Sequence, residues 1–242
     1  MALGDSYASG ESLGDYLSDG TWCHRSRGAY AFRLSLSRPV SVKLRACSGV
    51  TTSDVIANQV TWLSSSTQLV TVQIGGNDIN FGGLITRCAT TDCRDTINRT
   101  SDGLVAKLSP RLRRTYRVIR ARAPRARIVV VGYPRLFPSE PGRESFRCRN
   151  LVLPRIRASE QEAANRMAYR LNDVVREAAY AAGFRYLDAV ELFAGHDPCA
   201  NDRWLNAYIA PRKNDLRKVI GSFHPTAAGH AAYARELADI LG

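Results

Sequence analysis

The clearest signal along the chain is an exchange between short, nearly unbroken apolar runs and longer stretches where apolar residues return every three or four positions. The runs are Ala2–Leu3, Val40–Leu44, Leu69–Ile74, Ile128–Val131 and Phe184–Leu187. In LVTVQIG and RIVVVGYP the apolar residues mostly follow one another instead of alternating with polar ones. That pattern suits strands covered on both faces, as in a parallel sheet. Helical spacing fills the intervals. Ala29–Leu36 carries it, and Ser53–Leu63 follows with Thr52 or Ser53 as its N-cap. A third helix is expected to open at Ser109, with Pro110 at the first position where a missing N–H costs nothing, and to stop before Pro124. On it Leu112, Tyr116 and Ile119 form one face, and Arg113, Arg117 and Arg120 another. Ser159-x-x-Glu162 reads as a capping box, with Gly183 closing that helix. A last helix is expected from about Thr226 to Leu241. The stretches 80–100 and 133–158 read as irregular. The alternation predicts a doubly wound α/β protein with a parallel sheet of about five strands. Its 242 residues show no repeat or low-complexity linker, so one domain spanning 1–242 is expected.

The cysteines change the picture of where the protein works. Cys23, Cys47, Cys88, Cys93, Cys148 and Cys199 are even in number, spread out and free of any CxxC pair. This reads poorly as a metal site and better as three disulfides. Six cysteines admit 15 pairings. Sequential pairing (Cys23–Cys47, Cys88–Cys93, Cys148–Cys199) is favoured because Cys88 and Cys93 flank a short loop; six buried thiols are the alternative. Disulfides imply an oxidising compartment. Met1-Ala2 leads straight into Gly4-Asp5 with no visible signal peptide, which leaves an intracellular protein or one whose leader has been removed, and the disulfides favour the secreted alternative. The apolar runs are too short to span a bilayer.

The net charge is +12, carried by 30 Arg and only 4 Lys. Such a balance bears on association, not on fold. The segment RLRRTYRVIRARAPRAR reads first as a solvated helix face and second as a surface drawn to anionic lipid. With one tyrosine and no aromatic series for stacking, it argues against nucleic acid as a partner.

In a parallel α/β sheet, ligands bind at the carboxyl ends of the strands. The strand exits here are GDSYASG after the first run, Ala46-Cys47-Ser48-Gly49-Val50-Thr51-Thr52 after the second, and Gly75-Gly76-Asn77-Asp78 after the third. Ser6 sits at a tight turn among small neighbours. A serine hydroxyl becomes a nucleophile only when a base takes its proton. Of the four histidines, His24 and His196 lie in cysteine-bearing loops and His230 lies inside the last helix. His224 alone stands at a loop-to-helix junction, held by Pro225. The N–H groups of Ser6 and Gly49 and the Asn77 amide are candidate donors to a developing oxyanion. Asp5 and Asp78 are assigned to turn hydrogen bonding.

At these positions the sequence resembles the GDSL, or SGNH, hydrolase family. The four blocks run in order: Gly4-Asp5-Ser6-Tyr7-Ala8-Ser9-Gly10, Gly49 in CSGVTTSD, Gly75-Gly76-Asn77-Asp78, and His224 in SFHPTAAGH. The wording is most like that of secreted actinobacterial lipases, esterases and phospholipases of the family. The resemblance implies a three-layer α/β/α, flavodoxin-like fold, three disulfides, no cofactor and no metal. It places the family's serine, glycine, asparagine and histidine on Ser6, Gly49, Asn77 and His224. Many members carry an Asp three residues before the histidine; here that position is Gly221. In some relatives a main-chain carbonyl two residues before the histidine holds the imidazole instead, and that position is Ser222. The implied activity is hydrolysis of carboxylic esters, lipid or fatty-acyl; a monomer is expected. The rivals are acyl transfer or deacetylation of a carbohydrate or small metabolite on the same site, and a non-catalytic basic binding module.

Overall fold

In the computed structural model, which describes residues 1–88, 91–141, 156–208 and 221–242, the apolar runs form one parallel sheet. Its strands are β1 (Ala2–Gly4), β2 (Leu69–Gln73), β3 (Arg127–Val131) and β4 (Arg185–Leu187), in that spatial order. The expected fifth strand, Val40–Leu44, contributes a single parallel bridge from Leu44 to Ala2. Pro39 precedes it, and Val40 and Val42 are only half-buried, so this edge lacks the two-sided cover that sustains the central strands. Counting that bridge, the edge reads Leu44–β1–β2–β3–β4. The connections leave β1 and β2 toward opposite flanks, which opens a crevice at their carboxyl ends.

One flank of the sheet carries α2 (Tyr30–Ser37), packed against α8 (Ala227–Leu241), which also meets the short α7 (Ala189–Leu192). The other carries α5 (Arg94–Arg122) packed along α6 (Ala158–Ala181). Beside α5 lie α4 (Phe81–Cys88) and α3 (Thr52–Asp54); α3 continues into a π turn and a 3₁₀ turn through Trp62. The short α1 (Ser6–Ser9) leaves β1 directly. The fold is the expected α/β layering.

Several helix boundaries differ from the sequence reading, each for a local reason. α3 is capped by Thr51, whose N–H and hydroxyl both donate to Asp54, at 2.8 and 2.6 Å. α5 does not begin at Ser109 but runs through Pro110 from Arg94. Ile97, Leu104, Leu108, Leu112, Tyr116 and Ile119 are all fully buried, and this continuous stripe outweighs the proline's missing N–H. The stretch 80–100, expected to be irregular, is therefore largely helical. α6 begins two residues early, at an Arg157/Glu160 box: Arg157 N–H donates to Glu160 Oε2 at 2.8 Å. The other oxygen of buried Glu160 accepts from Cys93 N–H at 3.1 Å, so one carboxylate serves the starts of both α5 and α6. Thr226 caps α8 and Gly183 follows α6, as read.

Disulfides join Cys23 to Cys47 and Cys88 to Cys93. The third expected pair, Cys148–Cys199, involves Cys148, which lies outside the described residues. Arg113, Arg114 and Arg117 are exposed on α5, as a solvated face requires.

Candidate active site

The end of β1 is shaped by two constraints. Gly4 has φ +133°, and a Cβ there would lie 2.1 Å from Gln73 O, so only glycine fits. Buried Gln59 clamps the same residue, accepting Gly4 N–H at 2.8 Å and donating to Gly4 O at 2.9 Å. The chain then turns sharply into α1. Asp5 caps that helix by accepting Tyr7 N–H at 3.0 Å, and Ser6 becomes its first residue.

From the far end of the sequence, His224 reaches the same point. Its Nε2 lies 2.7 Å from Ser6 Oγ across 218 positions of sequence, and its Nδ1 lies 3.1 Å from Ser222 O. Tyr7 braces this loop from the Ser6 side. Its hydroxyl donates to Phe223 O at 2.8 Å, and its ring packs 4.9 Å from the imidazole. Phe223 itself has φ +60° and is buried against Phe137. Asn206 N–H donates to His224 O at 2.9 Å and Phe223 N–H donates to Asn206 O at 3.2 Å, so the loop is held on both sides. Replacing Tyr7 with phenylalanine leaves Phe223 O without that donor. The expected result is a kcat lowered about fivefold with KM unchanged, the equivalent of one hydrogen bond of about 1 kcal/mol. Steady-state kinetics on a soluble ester check it.

The three candidate donors come from three strand exits. Neither Ser6 N–H nor Gly49 N–H has an acceptor among the described residues. Gly49 has φ +78°, a left-handed backbone state that glycine adopts without the Cβ penalty. Asn77 Nδ2 donates one hydrogen to Val50 O at 2.9 Å, which orients the amide and leaves its second hydrogen for a ligand. Ser6, Gly49, Asn77 and His224 line one cleft of about 270 Å³, whose apolar wall is Phe81, Ile85 and Leu136. A larger cleft of about 330 Å³ lies at the opposite ends of β1 and β2, but neither a histidine nor a carboxylate lines it.

The two acids beside the site hydrogen-bond within it. Asp78 accepts the N–H and hydroxyl of Thr52, at 2.9 and 2.6 Å. Asp5 accepts the Tyr133 hydroxyl at 2.6 Å, and that oxygen accepts Gly76 N–H at 3.2 Å, so Asp5 links the first and third strand exits. Burial pushes the Asp5 carboxyl up to about 7, partly opposed by the Tyr133 and Tyr7 hydrogen bonds. The raised folded pKa means that its contribution to stability is full below about pH 4 and is lost as pH rises through 7. Asp5→Asn has no such titration. Its unfolding free energy, followed by thermal melting, is therefore expected to gain on the wild type between pH 4 and 7, at up to about 1.4 kcal/mol per pH unit, and to hold a constant difference above that. A difference independent of pH would contradict this.

The remaining histidines do other work. His230 is fully buried, accepts Tyr30 N–H on Nδ1 at 3.1 Å, and is driven down to about 3 mainly by burial. His196 stacks on Trp204 at 3.6 Å. His24 faces Glu11 at 2.8 Å. The sequence reading missed Tyr133 and the α4 wall. Phe81 and Ile85 did carry a signal, a four-residue apolar spacing, but it was masked by Gly82-Gly83.

Comparisons with known proteins place the chain in a family. The model of the GDSL-like Lipase/Acylhydrolase family matches residues 2–232. Lipase 1 of Streptomyces coelicolor is 34% identical over 235 residues, covering 96% of this chain and 82% of that protein. Among solved structures, phospholipase A1 from Streptomyces albidoflavus NA297 superposes with a TM-score of 0.87 at 35% identity, covering 98% of this chain and 97% of that one. The extracellular lipase of Streptomyces rimosus gives a TM-score of 0.83 at 33% identity over the same shares. The chain thus has counterparts in both sequence and structure over nearly its whole length, and it belongs to the GDSL-like lipase/acylhydrolase family.

Proposed function

We propose that this protein is a secreted carboxylic ester hydrolase whose single domain, residues 1–242, cleaves lipid or fatty-acyl esters. The observation that carries the reading is the 2.7 Å contact between Ser6 Oγ and His224 Nε2 at the head of an apolar-walled cleft. Ser6 Oγ attacks the acyl carbon while His224 Nε2 takes its proton. The Ser222 carbonyl accepts Nδ1–H, fixes the tautomer and steadies the imidazolium, in the position where a triad places a carboxylate. The negative oxygen of the tetrahedral intermediate is met by Ser6 N–H, Gly49 N–H and Asn77 Nδ2. As the intermediate collapses, His224 gives the proton to the leaving alcohol and the acyl group stays on Ser6. Water, deprotonated by His224, then attacks the acyl carbon. The acid leaves and the proton returns to Ser6 Oγ. Phe81, Ile85 and Leu136 offer the acyl chain an apolar wall, which favours fatty-acyl over short polar esters.

The lipase and phospholipase A1 relatives support the lipid assignment. The test is a fluorophosphonate probe followed by a panel of p-nitrophenyl esters against phospholipid micelles. Labelling is expected in the wild type and absent in Ser6→Ala. Folded wild-type protein that takes no label would refute the reading.

A further inference from the structure

Behind the nucleophile lies a buried carboxylate that the reaction above does not use. Glu11, just past α1, is 4% exposed and gathers four groups. On Oε2 it accepts the Ser48 hydroxyl in a short contact and faces His24 Nδ1 at 2.8 Å. On Oε1 it accepts Ser12 N–H and the Tyr16 hydroxyl, each at 3.3 Å. Ser48 Oγ also lies 3.4 Å from Ser9 Oγ, which donates to Ser6 O at 3.2 Å. The Cys23–Cys47 disulfide joins the residues that immediately precede His24 and Ser48, and Ser48 N–H donates to Cys23 O at 3.1 Å. Glu11 thus ties the nucleophile's helix to the strand exit that carries Gly49.

Ser48 shares a planar peptide with Gly49, so Ser48 and the Gly49 φ together set where the Gly49 N–H points. A peptide followed by glycine flips readily, since glycine has nearly equal access to both signs of φ. The Ser48 side chain is the anchor that opposes such a flip, and its anchorage is the Glu11 carboxylate.

We propose that Glu11 is a positioning residue for ester hydrolysis: through Ser48 Oγ it holds the Ser48–Gly49 peptide with the Gly49 N–H turned into the cleft. Through His24 and Tyr16 it also pins the 12–26 loop against the same peptide. The inference rests on the assignment of Gly49 N–H as an oxyanion donor, and the experiment separates the two.

Ser48→Ala, Ser48→Thr, Glu11→Gln and Ser6→Ala are assayed on a soluble p-nitrophenyl ester for kcat and KM separately, for the rate of fluorophosphonate labelling, and for melting temperature. Ser48→Ala is expected to lower kcat about 30- to 100-fold, since displacing a catalytic group by about an ångström costs on that scale. KM should stay within about threefold, because the lost interaction acts only in the transition state. Labelling, which passes through a comparable oxyanion, should slow in parallel. Ser48→Thr restores the hydroxyl and should recover most of kcat. Glu11→Gln keeps an acceptor for Ser48 without the charge and should fall between. Wild-type kcat in folded Ser48→Ala, beside an inactive Ser6→Ala, overturns the positioning role and leaves the hydrolase reading intact. Activity in Ser6→Ala overturns both. A kcat deficit that vanishes once the folded fraction is counted overturns the positioning role as well.

Discussion

Ser6→Ala and His224→Ala are each expected to lower kcat by roughly 10⁴- to 10⁶-fold, and the double variant to be little worse than either alone. The reason is that hydroxyl and imidazole act as one unit. Without Nε2 at 2.7 Å, Ser6 Oγ keeps its proton and is a poor nucleophile; without Oγ, the imidazole has nothing to activate. KM should change little in both, because neither group is needed for an acyl chain to lie along Phe81, Ile85 and Leu136. Folding should survive, since both side chains are partly exposed at the mouth of the cleft. The measurement is kcat for the four proteins on one soluble ester. Independent losses that multiply in the double variant would mean that the two residues serve separate steps.

Asn77→Ala should cost about 10²- to 10³-fold in kcat with KM nearly constant, the usual penalty for removing one oxyanion donor. The geometry makes this variant a clean probe. Asn77 Nδ2 spends one hydrogen on Val50 O, so truncation also frees that carbonyl. That loss should appear as about 1 kcal/mol in stability, well short of unfolding. The catalytic deficit and the stability deficit are therefore read on different instruments, kinetics and thermal melting. Asn77→Asp should be as slow as Asn77→Ala, because a carboxylate occupies the space but donates nothing and repels the negative oxygen. Near-wild-type turnover in either variant would remove Asn77 from the hole.

Much of this was legible in the sequence because the informative patterns are local. LVTVQ and RIVVV are buried central strands by the same unbroken apolarity that marked them in the chain. Ser6, Gly49, Asn77 and His224 stand at strand or loop exits, where short-range punctuation reveals them. What escaped notice was governed by distant partners. Pro110 looks like a beginning until the buried stripe from Ile97 to Ile119 is seen packed on α6. Glu160, not Glu162, caps α6 because Cys93 recruits its other oxygen from 67 positions away. Tyr7 reaches Phe223 across 216 positions and Tyr133 reaches Asp5 across 128, and no periodicity encodes either pairing. Val40–Leu44 has strand composition, yet at the margin of the sheet it earns only one bridge.

The span of 218 positions between hydroxyl and imidazole also has a meaning in time. A polypeptide is made from its amino end, so Ser6 emerges early and His224 almost last. Until the segment around His224 docks, every nascent, stalled or clipped chain carries a serine with no means to ionise it. On the proposed mechanism, hydrolysis therefore waits for the last part of the chain to fold, and the order of residues along it sets when activity begins.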